Sequence, residues 1–219
     1  MNVAILGATG AVGREMMKIL AERSFPVEEL RLLASPRSAG QKLLWQGREL
    51  TVQPAEDSAF EGMDIVLGAA ENDIAKRFAP AIVKTGAVFV DNSSAFRMDP
   101  NVPLVVPEIN PEDARRHKGI IANPNCTTIV SLVAINALNQ DSPTQSIIAS
   151  SYQAVSGAGA GGPRETDPEC RRGGRLPVAL RGGAGPATAK ALRGRPRARR
   201  SECGFCLGCF GFCFFFFLM

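Results

Sequence analysis

Histidine, tryptophan and tyrosine occur sparingly in the 219 residues: one His, one Trp and one Tyr. The histidine, His117, lies in Arg115-Arg116-His117-Lys118 at the end of a polar helix-like stretch, a solvated setting rather than a catalytic one. No charged-then-apolar leader opens the chain, since Met1-Asn2 run straight into strand-like sequence, so no secretory signal is expected. Residues 161–219 lack isoleucine, asparagine, glutamine and tyrosine, yet hold five of the six cysteines and seven of the twelve phenylalanines. Charge divides at the same place: residues 1–160 carry 14 basic and 17 acidic side chains, net −3, and residues 161–219 carry 11 and 4, net +7. The formal +4 of the whole chain therefore belongs to its tail, and no nucleic-acid partner is expected. So abrupt a shift marks a boundary near Gly161.

At 45% hydrophobic residues the chain has enough apolar side chains to bury a core. Residues 3–6 are an apolar run, followed at once by GATGAVG, with Gly7, Gly10 and Gly13, and then by apolar residues at helical spacing through Leu20. Strand, glycine-rich turn and helix form the first half of a βαβ unit, in which helix N–H groups receive a pyrophosphate. The spacing G-x-x-G-x-x-G is a variant of the dinucleotide fingerprint; a plain glycine turn is the alternative, and the place directly after the first strand favours the fingerprint.

A second strand, residues 30–34, ends in Ser35-Pro36-Arg37-Ser38-Ala39-Gly40. What is missing there is the Asp or Glu that an NAD-type site presents to the ribose 2′-OH. An arginine and two hydroxyls stand in its place, which suits a 2′-phosphate and hence NADP, the alternative being an ordinary basic surface loop. Residues 43–45 and 50–52 flank Gln46-Gly47-Arg48-Glu49 as a small hairpin. Residues 64–67 and 88–90 read as buried strands, with a helix at 72–84 that places Ile74, Phe78, Ala81 and Ile82 on one face. The alternation predicts an α/β fold, a Rossmann-like, doubly wound parallel sheet.

The strand at 88–90 runs into Asp91-Asn92-Ser93-Ser94-Ala95-Phe96-Arg97, a polar cluster at the carboxyl edge, where open α/β sheets bind ligands. Arg97 either holds a phosphate or carboxylate in bidentate fashion or is a solvated loop arginine. After Val105-Val106-Pro107-Glu108-Ile109-Asn110 and a helix-like stretch at 111–117 comes Asn123-Pro124-Asn125-Cys126-Thr127-Thr128, between a strand at 119–122 and a helix at 128–138. A cysteine in a first helical turn meets unpaired N–H groups and the positive end of the helix dipole, both favouring thiolate over thiol. Cys126 is thus a candidate nucleophile, the alternative being a small residue packed at the helix start. A strand at 146–152 then leads into Gln153-Ala154-Val155-Ser156-Gly157-Ala158-Gly159-Ala160, whose Gly and Ser suit close backbone approach to a ligand.

GATGAVG, SPRSAG, DNSSAFR, VPEIN, NPNCTT and SYQAVSGAGA, in this order, closely resemble aspartate-semialdehyde dehydrogenase over residues 1 to about 160. The resemblance implies an NADP-dependent reductive dephosphorylation of aspartyl-4-phosphate to aspartate semialdehyde, a cytoplasmic step toward lysine, methionine and threonine. It implies Cys126 as the nucleophile that forms a thioester, Gln153 as a substrate-orienting glutamine beside it, and Asn125 and Arg97 as holders of the substrate phosphate. For the cofactor it implies the turn with Gly7, Thr9, Gly10, Ala11, Val12 and Gly13, together with Arg37 and Ser38, and a second contact at Ser156 and Gly157. An N-acetylglutamyl-phosphate or glyceraldehyde-phosphate type of reductase is the nearest alternative; the Asn-Pro-Asn before Cys126 and SYQAVSGAGA favour the aspartyl enzyme. A non-catalytic NADP-binding protein is the alternative of a different class.

The domains expected are an NADP-binding domain over 1–125, the start of an α+β catalytic and dimerisation domain over 126–160, truncated, and an aberrant tail over 161–219. The resembled family continues for well over a hundred residues, with a general acid/base histidine, an α-carboxylate-binding arginine and a phosphate-binding lysine that have no counterpart here. An inactive chain, with dimerisation in doubt, is therefore expected. Residues 171–200, rich in Arg, Gly, Ala and Pro without hydrophobic period, are expected to be disordered. Cys203, Cys206, Cys209 and Cys213 match an iron–sulfur spacing, but Phe214 stands where that run usually has Pro, and no metal is expected. The 17 uncharged residues from Cys203 onward fall at the lower length limit for a membrane anchor, and no membrane partner is expected. A lost reading frame near Gly161 accounts best for the tail. Accurate DNA sequence across codons 155 to 220 is expected to show a one-base change that restores a continuation with a histidine motif; a confirmed frame would instead make the tail part of the protein.

Overall fold

The first strand, β1 (Asn2–Leu6), is apolar on both sides because both of its faces are covered, as parallel strands require. The computed structural model describes residues 1–151 and Gln153. Ser156, Gly157, the cysteine run and the rest of the tail lie outside the described residues. From β1 the chain passes through a four-residue turn into α1 (Ala11–Glu22) and returns as β2 (Glu29–Ala34), parallel to β1 with Leu6 opposite Leu33. A short hairpin, β3 (Lys42–Trp45) and β4 (Arg48–Thr51), is joined by Gln46 and Gly47, both at positive φ as a two-residue hairpin turn demands. The turn is tighter than the four-residue connection expected, and Trp45 Nε1 donates to Met17 O at 2.9 Å, docking the hairpin on α1.

The two-residue β5 (Gln53–Pro54) adds beside β2, and the chain then crosses to the far side of β1. There β6 (Ile65–Gly68), α2 (Asn72–Lys84), β7 (Val88–Asp91) and β8 (Ile120–Ala122) follow. The six-stranded sheet has the order β5-β2-β1-β6-β7-β8, all neighbours parallel. Strand alternation sends Val3, Ile5, Leu32, Leu67 and Val90 to the α1 face, and Ala4, Leu6, Leu33, Val66 and Phe89 to the α2 face. With a helix on each face the sheet is doubly wound, and the strand order reverses between β1 and β6.

Helix α2 spans the expected residues, but its buried face is Ala75, Phe78, Ala79 and Ile82, while Ile74 is exposed. Phe78 sets that rotation by packing edge-on against Phe60 at 5.4 Å between centroids. The stretch at 111–117 is a 3-10 helix (Pro111–Arg116) that opens with proline. His117, expected to be solvated, is half-buried and its Nδ1 accepts the Gly119 N–H at 3.0 Å, closing the turn into β8.

Helix α3 (Cys126–Asp141) begins two residues earlier and ends three residues later than expected. The strand expected at 146–152 is not seen in residues 146–151, which have no regular structure. A strand needs a neighbour to take its N–H and C=O groups, and the described residues pair no strand with it. Ile129 is covered by Val106. Leu138 farther along α3, and Ile147 and Ile148 after it, stay open, at 69%, 53% and 100% exposed. Apolar side chains left so open favour association. Light scattering on the purified chain is expected to show self-association that Leu138→Glu with Ile148→Glu relieves; a stable monomer with a cooperative melt would contradict this.

Candidate active site

The glycine turn lies at the carboxyl end of β1, beside the point where the strand order reverses. Its three glycines do different work. Gly7, at φ +94°, donates with Ala8 to Leu33 O, and a Cβ there would stand 2.7 Å from Ala69 O. At Gly13 a Cβ would stand 2.4 Å from Gly7 O and 2.7 Å from Ala8 Cα, so only glycine lets α1 come down onto the turn. Gly10, exposed at the N-cap, would bring a Cβ no nearer than 3.4 Å to any protein atom. The space over Gly10 is where a pyrophosphate approaches the backbone in a dinucleotide site. No side chain caps α1 and no acidic residue stands in its first turn, so the first N–H groups keep their donors for an anion. Thr9, Ala11 and Val12 are exposed or half-buried around that opening. Arg37 and Ser38 follow β2 on the same edge, in a 3-10 turn (Pro36–Ser38), with Arg37 exposed. These residues fit a dinucleotide.

The other half of the edge is built from the ends of β7 and β8. Arg97 is half-buried, not a solvated loop arginine: its Nε donates to Asn123 O at 2.8 Å and its terminal nitrogen to Asn92 O at 3.0 Å. Phe96 packs edge-on against Phe89 of β7, centroids 6.4 Å apart, and anchors the loop from the other side. The Asn123 N–H donates to Asp91 O at 2.8 Å and its side-chain amide to Asn92 Oδ1. Two residues on, Asn125 caps α3, its Oδ1 accepting the Thr127 N–H at 3.0 Å. Cys126 is the first residue of α3, half-buried against Val106 and Ile129, with its sulfur 4.0 Å from Thr127 Oγ1.

Arg97, Asn125 and Cys126 are thus brought to one corner of the edge by Arg97's bond to Asn123. Gln153 is exposed, on backbone without regular structure. Asp91, Asn92 and Ser93, which the sequence marks only as members of a polar cluster, and Asn123, to which it gives no role, fasten this corner. Asp91 is fully buried, and burial pushes its carboxyl up, against the lowering effect of the Ser93 hydrogen bonds and of Arg97. Glu108, in the loop before the 3-10 helix, is likewise pushed up by burial, and neither of its oxygens has a hydrogen-bond partner among the described residues. An acidic residue at a strand's carboxyl end was the available signal for Asp91; nothing local marks Asn123. Among the described residues no group of acidic, His and Cys side chains is placed to hold a metal, and no helix is long and apolar enough to cross a membrane.

A doubly wound sheet with a three-glycine anion turn, and a cysteine opening a helix at the same edge, defines a nicotinamide-dinucleotide domain of the kind that serves oxidoreductases. The family described as semialdehyde dehydrogenase, NAD binding domain, matches residues 2–117, and the chain belongs to it. The aspartate-semialdehyde dehydrogenase of Synechocystis is 61% identical over 159 residues, 73% of this chain and 47% of the relative. The crystal structure of aspartate semialdehyde dehydrogenase II from Vibrio cholerae superposes with a TM-score of 0.72 at 42% identity, covering 80% of this chain and 54% of that one. The structure of the enzyme with NADP from Candida albicans gives 0.55 at 28% identity, over 66% of this chain and 48% of that one. The chain spans about half the length of the curated relatives it matches.

The glycines separate folding from binding. Gly13→Ala is expected to cost about 3 kcal/mol of stability in denaturant titrations, because backbone must move to admit the methyl group. Gly10→Ala should leave the melt nearly unchanged while weakening dinucleotide binding at least tenfold by calorimetry. Equal effects of the two variants on both readouts would count against the division.

Proposed function

We propose that this chain carries the dinucleotide site and the nucleophile of an aspartate-semialdehyde dehydrogenase, with NADP as cofactor and aspartyl-4-phosphate as substrate. The observation that carries the reading is Cys126 at the first position of α3, with Asn125 capping the same helix and Arg97 tied to the strand end before it. In this reading the Cys126 sulfur attacks the acyl carbon, the bond to the phosphate oxygen breaks, and inorganic phosphate leaves with its charge held by Arg97 and the Asn125 amino group. When bound, NADPH supplies the hydride that turns the resulting thioester into aldehyde and returns the thiolate. Arg37, with Ser38, takes the 2′-phosphate. Gln153 orients the substrate beside the thioester, and Ser156 with Gly157 makes the second cofactor contact.

Residues 1–125 act as the cofactor domain and 126–160 as the opening of the catalytic domain. The matched stretch is about half of the relatives' length, and we infer that the residues of this stretch serve dinucleotide binding and acyl transfer. Acetyl phosphate, a simple acyl phosphate, is expected to add an acetyl group to Cys126, detected by peptide mass spectrometry, with release of phosphate; Cys126→Ser should abolish both. Calorimetry should show NADPH binding more tightly than NADH, with Arg37→Ala costing about tenfold for NADPH only, or ~1.4 kcal/mol. Equal affinity for the two dinucleotides would remove the case for NADP.

A further inference from the structure

At the carboxyl end of β7 the Asp91 side chain is wholly buried, and its hydrogen bonds go to one residue. It accepts the Ser93 O–H at 2.6 Å and the Ser93 N–H at 3.1 Å. Ser93 Oγ accepts in turn from the Ala95 N–H at 3.1 Å. Three short-range bonds therefore curl residues 91–95 into one shape, and the curl delivers Phe96 onto Phe89 and Arg97 onto the carbonyls of Asn92 and Asn123. The backbone of Asp91 is fastened at the same point, since its carbonyl accepts the Asn123 N–H. Gly68 of the neighbouring strand leaves room for the carboxylate, since a Cβ there would lie 3.0 Å from Asp91 Oδ1.

We propose that Asp91, acting through Ser93, is a positioning residue that sets the Arg97 guanidinium at the phosphate subsite beside Cys126. It touches no substrate itself. The inference rests on Arg97 being the phosphate holder, as argued above. A short, buried acceptor at a strand end is suited to the task, because its own place is set by the sheet and the shape of the following loop is set by it.

The test uses the full chain and inorganic phosphate. Alkylation of Cys126 by iodoacetamide, followed by peptide mass spectrometry, is measured against phosphate concentration. Phosphate is expected to slow the reaction of the parent protein, and Arg97→Ala to abolish that protection. Ser93→Ala and Asp91→Asn should each raise the half-protecting concentration about tenfold while leaving the unprotected rate and dinucleotide affinity unchanged. Ser93→Thr, which keeps the hydroxyl, should restore protection, and Ser93→Ala added to Arg97→Ala should cost nothing further. Protection within twofold of the parent in Ser93→Ala and Asp91→Asn, with Arg97→Ala still unprotected, would overturn the positioning role while leaving the phosphate subsite standing. A parallel loss of dinucleotide affinity and melting temperature in both variants would make Asp91 a folding element only and overturn it as well. If phosphate fails to protect the parent protein, the subsite reading fails first and the inference falls with it.

Discussion

The close approach of α1 to the turn after β1 is the constraint on which the rest depends. Gly13 lies against Gly7 O and the Ala8 backbone, and Gly7 lies against Ala69, at distances no side chain tolerates. Because these contacts hold, the turn donates twice to Leu33 O and locks β1 to β2 on one side, while Ala69 N donates to Leu6 O on the other. The central strand, the reversal of strand order and the uncapped start of α1 are therefore one arrangement. Loosening it would widen the space between α1 and the sheet, where Met16, Leu20 and Ile5 are buried.

The carboxyl edge then divides into two halves with different physics. On the β1–β2 half, the start of α1 has no side-chain cap and Arg37 is exposed, so the donors there are open to water. The β7–β8 half is fastened internally, with Arg97 spending hydrogen bonds on two carbonyls and Asp91 spending its own on Ser93. A guanidinium has five N–H donors, so anchoring by two of its nitrogens is compatible with a charge presented outward. This half holds its groups still before any ligand arrives, so that a ligand meets groups already in place.

Helix α3 sits at the limit of what the sheet can cover. Its first turn is buried through Ile129 and Val106, whereas farther along Val130 and Leu138 face outward. A helix apolar on several sides is stable when other elements surround it, and this chain matches about half the length of its relatives. The exposed apolar side chains at Ile147 and Ile148 belong to the same pattern.

Local sequence alone determined the strand, glycine turn and helix at the start, the extent of α2, the hairpin, and the place of Cys126 at a helix start. Each follows from spacing within about a dozen residues: three glycines after an apolar run, apolar residues at helical period, asparagine before a helix. The tertiary structure decided what depends on partners far along the chain. Phe60 selected the buried face of α2, so that Ala75 and Ala79 are inside and Ile74 is outside. The residues at 146–151 formed no strand although their composition favours one, since no strand among the described residues pairs with them. Arg97 became an anchor by reaching Asn123, 26 residues away, and Asp91 became buried because β6 and β8 flank its strand. Burial and hydrogen-bond partners are properties of strand order, and no local period encodes which strand will lie beside which.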